Sequence, residues 1–114
     1  MLDNSFWLAF DKLIADSEII IDRPKGTKHP QYDYIYELDY GYLANTASPD
    51  NAGIDVWLGS LSEQKLVAAI CTVDLIKRDS EIKLLIACTN AEISQISSFH
   101  NSSDNMKGLL IKRT

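Results

Sequence analysis

The stretch SPDNAGIDVW, residues 48–57, sets two carboxylates, Asp50 and Asp55, five residues apart across Asn51, Ala52 and Gly53. The polar half turns abruptly into an apolar run of Ile54, Val56, Trp57 and Leu58. Asp55 stands inside that run, where an acid is costly unless something compensates it. Two chemistries answer to this pattern. Either the acids hold a hard cation, or Asp50 shapes a turn and Asp55 takes a structural partner. Asp79 and Glu81 are further acids at a loop–strand junction. Carboxylates converging on one point repel unless a cation such as Mg²⁺ joins them. Tyr hydroxyls and Lys ammonium groups nearby would suit phosphate oxygens, as neutral and charged donors. His29 and His100 are isolated and belong to no triad, and Trp57 is expected to pack in the core.

These groups need elements to position them. Phe6, Trp7, Phe10, Leu13 and Ile14 repeat at three- and four-residue spacing, which predicts a helix over 3–16 capped by Asp3, Asn4 or Ser5. SEIIID reads as a short strand stopped by Pro24, and residues 23–31 as a loop rich in breakers. YDYIYELDYGYL holds all five tyrosines, at 32, 34, 36, 40 and 42, so as one strand it would put them on one face. ANTASPDNAG is a turn-forming loop and IDVWL the strand leaving it. KLVAAICTVDLI and EIKLLIAC are two strands joined by KRDS, short enough for a hairpin. NAEISQISSFH reads as a helix with Ile93, Ile96 and Phe99 on one side, and MKGLLIKR as a final strand. The order is that of one α+β domain, residues 1–114, built on a small sheet or barrel.

Composition narrows the function. Hydrophobic residues make up 46% of 114 and charged ones 24%, the profile of a globular domain. A formal net charge of −5 lacks the electrostatic footprint of a nucleic-acid binder. Positive charge is clustered, however: Arg23, Lys25, Lys28 and His29 fall within seven residues, and Lys107, Lys112 and Arg113 crowd the C-terminus. Such clusters suit a small anion. Cys71 and Cys88 sit in apolar surroundings and lack zinc-site spacing. No basic leader precedes an apolar run, and no apolar run could span a bilayer, so a cytoplasmic location without membrane contact is expected.

The residues 36–57 carry a more specific pattern. Asp39-Tyr40-Gly41-Tyr42-Leu43 followed by Asp50 through Val56 resembles the signature of the soluble family I inorganic pyrophosphatases, N-Y-G-Y-I and then D-x-D-P-x-D-V. Similarity extends in pieces from about residue 18 to the C-terminus. IIIDRP resembles the strand that ends in an acid, which is Asp22 here. EIKLLIA resembles D-x-K-L-V-A, with Glu81 for the acid and Lys83 for the lysine. SSFHNSSDNMKGLLIKR resembles the final helix and strand. The resemblance implies a small, OB-like antiparallel β-barrel with a helix near each terminus. It implies hydrolysis of pyrophosphate or a related phosphate compound, dependent on Mg²⁺ or Mn²⁺, in a homo-oligomer. It assigns metal ions to Asp50, Asp55, Glu81 and Asp22. Tyr40 and Lys83 would grip phosphate oxygens, and Asp50, Asp55 and Tyr40 would form the catalytic set.

The departures bear on mechanism. The family's middle acid, which helps activate the attacking water, is Ala52, and the following proline is Gly53. A strand pair carrying a phosphate-binding arginine is missing, leaving Arg23, Lys25 or Lys28 to supply that cation. The family's Tyr-Lys phosphate pair falls at Ser102-Ser103. A non-catalytic phosphate- or nucleotide-binding module on the same fold is the alternative that Ala52 favours.

Overall fold

Trp7 is the buried residue of a helix, α1, that spans Ser5–Ala15. The computed structural model describes residues 4–113. Asp3, one expected cap, lies outside them, and Asn4 occupies the N-cap without a side-chain hydrogen bond. Trp7, Phe10 and Ile14 lie against Leu43, Val56, Leu66, Ala69, Leu84 and Ile86, forming one half of the core. Arg113 fastens the helix to the far end of the chain. Its guanidinium reaches both Asp11 oxygens at 2.8 and 2.7 Å and lies 5.9 Å from the centre of the Trp7 ring.

Six strands follow: β1 (Ile19–Arg23), β2 (Asp39–Leu43), β3 (Ile54–Leu58), β4 (Leu66–Asp74), β5 (Asp79–Ile86) and β6 (Gly108–Lys112), with helix α2 (Asn90–Asn101) before the last. They form one sheet in the order β1-β2-β3-β5-β4-β6. All neighbours run antiparallel except β3 and β5, which are parallel. The α+β class and the helices near the two ends stand as the sequence implies. The sheet is mixed and open, with β1 and β6 as its edges, rather than a closed antiparallel barrel. The tight turn at 75–78 lays β5 back along β4, so β5 arrives beside β3 pointing the same way. Side-chain alternation sends Tyr40, Asp55, Trp57, Glu81 and Lys83 to the face opposite α1. There Tyr36, Leu38, Trp57, Ile70, Leu85, Ile93 and Ile96 make the second half of the core under α2.

The tyrosine-rich run is a strand only from Asp39 onward. Residues 26–36 close on themselves instead: Gly26 N–H donates to the Tyr36 carbonyl, Tyr36 N–H to Thr27 and His29 N–H to Tyr34. Cys88 is buried and Cys71 half-buried. Neither described helix is long and apolar enough to cross a membrane.

Candidate functional site

Lys83 is the centre of the site because three strands converge on it. Asp55 of β3 is its cross-strand partner in the parallel pair, and Tyr40 of β2 lies one strand further. Its ammonium donates to Asp55 Oδ2 at 2.7 Å, to the Tyr40 hydroxyl at 2.8 Å and to Glu81 Oε2 at 3.3 Å. The Lys83, Asp55 and Glu81 side chains are 13%, 16% and 9% exposed, so these charges face one another rather than water. Burial favours the neutral amine, yet Tyr40 and Asp55 together hold Lys83 above its ordinary value. Burial also lifts the Tyr40 phenol, against the pull of Lys83, so it keeps its proton. Glu81 is pushed up to about 7 by burial and by the neighbouring Asp55, with Lys83 opposing. The acid inside the apolar run thus has its compensating partner, a lysine 28 residues away.

These groups form part of the wall of a cleft of about 570 Å³, within the ~300–1,000 Å³ usual for small-molecule sites. Six carboxylates line it, Asp22, Asp50, Asp55, Asp74, Asp79 and Glu81, against the cations Arg23, Lys77 and Lys83. A slip of register between Ile21 and Arg23 explains how both Asp22 and Arg23 reach it. A bulge there turns consecutive side chains toward one side. The Arg23 guanidinium is held by the Tyr36 hydroxyl and lies 5.6 Å from its ring centre. Lys25 and Lys28, expected on phosphate, are not among the lining residues. Lys28 pairs instead with Asp33 at the surface, at 3.4 Å.

Asp50 sits on the rim and is folded into its own turn. Its Oδ1 accepts from Ser48 Oγ at 2.7 Å and from Ala52 N–H at 3.0 Å. These donors, Ser48 foremost, hold its carboxyl below the usual range. Asn51 and Gly53 have φ of 61° and 94°. A proline, fixed near −65°, cannot occupy Gly53, and a Cβ there would lie 2.9 Å from the Tyr42 ring. Ala52 lines the cleft with a methyl group only.

The opposite wall comes from α2, whose start is fixed by a capping box: Thr89 Oγ1 accepts from Glu92 N–H, and the Glu92 carboxylate from Thr89 N–H. That placement brings His100 to Trp57, whose Nε1–H donates to His100 Nε2 at 3.1 Å. The proton of the neutral ring is therefore on Nδ1, which is buried. Burial, and then Lys83, depress the imidazole to about 4, with the Met106 backbone acting the other way. His29, Tyr34, Tyr36, Tyr40 and Phe99 continue the aromatic wall around Trp57.

The structure brings Tyr40, Asp55, Glu81 and Lys83 into mutual contact and places Asp22 and Asp50 on the same cleft. Of the candidate cations Arg23, Lys25 and Lys28 it places Arg23 alone on the lining, and it adds Lys77 and His100. Among the described residues, no three Asp, Glu, His or Cys side chains are gathered so as to hold a metal ion. Asp55 is engaged by Lys83 and Asp50 by its turn, so the oxygen donors suit a hard cation in chemistry but not in arrangement. Compared with known proteins, the chain matches no family model and no curated sequence.

Proposed function

We propose that this cleft hydrolyses inorganic pyrophosphate, or a related phosphoanhydride, in the presence of a divalent cation. The observation that carries this reading is the Lys83 ammonium, held between Tyr40, Asp55 and Glu81 in an acid-lined cleft. Six carboxylates against three cations would repel a bare polyanion, so the anhydride enters as its Mg²⁺ or Mn²⁺ complex. When bound, the cation would supply charge neutralisation and a more acidic water. Asp50, Asp55, Glu81 and Asp22 are the oxygen donors that would hold it, once Asp55 and Glu81 exchange Lys83, and Asp50 its turn donors, for the cation. Lys83 and the protonated Tyr40 hydroxyl are suited to donate to phosphate oxygens. Hydrolysis forms a bond from the water oxygen to one phosphorus and breaks the bridging P–O bond, leaving two phosphates. Ala52 offers no base, and lack of one costs ~10²–10⁴-fold in rate. Turnover is accordingly slow.

A second reading is favoured by Ala52 and by the self-neutralised Lys83–Asp55 pair: a non-catalytic module that binds a phosphate compound or nucleotide. Phosphate release from pyrophosphate with Mg²⁺ and then Mn²⁺, in the wild type and in Asp50→Asn/Asp55→Asn, separates the two. Turnover that dies in the double variant supports hydrolysis. No turnover with either metal removes hydrolysis and leaves the binding module.

A further inference from the structure

Beside the cleft lies a second cavity of about 320 Å³, and Tyr32, Tyr34, Asp74, Phe99 and Met106 line both. The two spaces therefore share a wall, but their chemistry differs. No Lys or Arg is among the described residues that line the annex, while Asp33 and Asp74 are. A phosphate group placed there would face Asp33 and Asp74, and Lys28, which pairs with Asp33 at 3.4 Å, is not in the lining. A neutral, planar group meets better surfaces. The Tyr32 and Tyr34 rings lie 11° from parallel with centroids 6.1 Å apart, and Tyr34 meets Phe99 edge-on at 5.0 Å. Aromatic faces of this kind accept the face of a nucleobase. Ser103 and Asn105 add polar groups at the edge, and carboxylates suit exocyclic amino groups.

We infer that the ligand is a nucleoside phosphoanhydride, of which a nucleoside diphosphate is the simplest, with its base in the annex and its phosphates toward Lys83. This rests on the reading of the main cleft as a phosphoanhydride site, and holds whether that site is hydrolytic or only binds. Charge sorts the two ends. The only cations lining either space, among the described residues, are on the cleft side, and the shared aromatic wall joins that side to a pocket that accepts a neutral ring.

The test is calorimetric titration in Mg²⁺ with two hydrolysis-resistant probes, methylenediphosphonate and the α,β-methylene analogue of adenosine diphosphate. The wild type is expected to bind the nucleotide analogue at least tenfold more tightly. Tyr32→Ala should erase that preference; because Tyr32 also lines the cleft, the diphosphonate affinity is read on Ser103→Trp, where it should change less than twofold. Ser103→Trp, which fills the annex from a loop, gives the same reading should Tyr32→Ala fail to fold. Equal wild-type affinities for the two probes would overturn the inference and leave the phosphoanhydride site standing. So would a preference untouched by Ser103→Trp, which would put the base outside the annex. Binding of neither probe would overturn both.

Discussion

Asp55 and Lys83 are register partners across the parallel β3–β5 pair, and their side chains close to 2.7 Å while each is largely shielded from water. Removing one partner of such a pair leaves the other charge uncompensated, which costs ~3–5 kcal/mol for a fully buried pair. Both side chains keep a little solvent contact, so Lys83→Met should destabilise the fold by about 3 kcal/mol, the lower end of that range. Adding Asp55→Asn to Lys83→Met should return part of the loss. Urea melts of the two single variants and the double variant measure the coupling, and additive losses would show that the pair contributes nothing as a pair.

His100 makes stability depend on mild acid. Its folded-state value of about 4 lies below the ordinary 6.5, so the fold favours the neutral ring. The associated stability is fully present above about 6.5 and is lost as pH falls from there toward about 4. His100→Gln should therefore show a flatter dependence of melting temperature on pH across this window than the wild type. Parallel curves would assign the acid loss to other groups.

Ala52 is expected to limit turnover. Ala52→Asp should raise the rate of pyrophosphate hydrolysis by about tenfold or more, a part or all of the ~10²–10⁴-fold that a general base contributes. An unchanged rate would point to the loop path set by Gly53, at φ 94°, as the obstacle to placing a base there.

Gly41 has no room for a side chain: a Cβ would stand 1.8 Å from the Ile20 carbonyl oxygen. Because the obstacle is backbone, β1 must move as a strand. Gly41→Ala should cost about 3 kcal/mol, the upper end for overpacking. It should also weaken diphosphonate binding, because Asp22 and Arg23 ride on β1. A melting temperature within a degree of the wild type would show that β1 is free to slide.

Much of this arrangement was legible in the chain. Glu81 and Lys83, two residues apart in a β-like run, had to share a face, and Tyr40 and Tyr42 likewise. The acid in the apolar run announced a partner without naming it. What stayed hidden depended on pairing between distant segments. Nothing local shows that β5 runs parallel to β3, and only that register brings Lys83 to Asp55. The slip at Asp22 is equally silent, so the choice of Arg23 over Lys25 and Lys28 as a lining cation was not legible. His100 looked isolated because its partner, Trp57, is 43 residues away. Tyr32 through Leu38 alternated like a strand, yet the hydrogen bonds of residues 26–36 were satisfied within the loop.

The single parallel pair is also a seam in the folding of the chain. On one side β1, β2 and β3 follow one another as a meander, and on the other β4 and β5 close through a four-residue turn with β6 added outside. The β1–β3 meander and the β4–β5 hairpin form from neighbours in sequence, whereas joining β3 to β5, with 20 residues between them, and β6 to β4, with 33, closes longer loops at a higher entropic cost. Asp55 and Tyr40 belong to the first half, Glu81 and Lys83 to the second. A refolding chain can therefore regain most of its circular dichroism before it can hold a ligand, because the site exists only once its two halves have met.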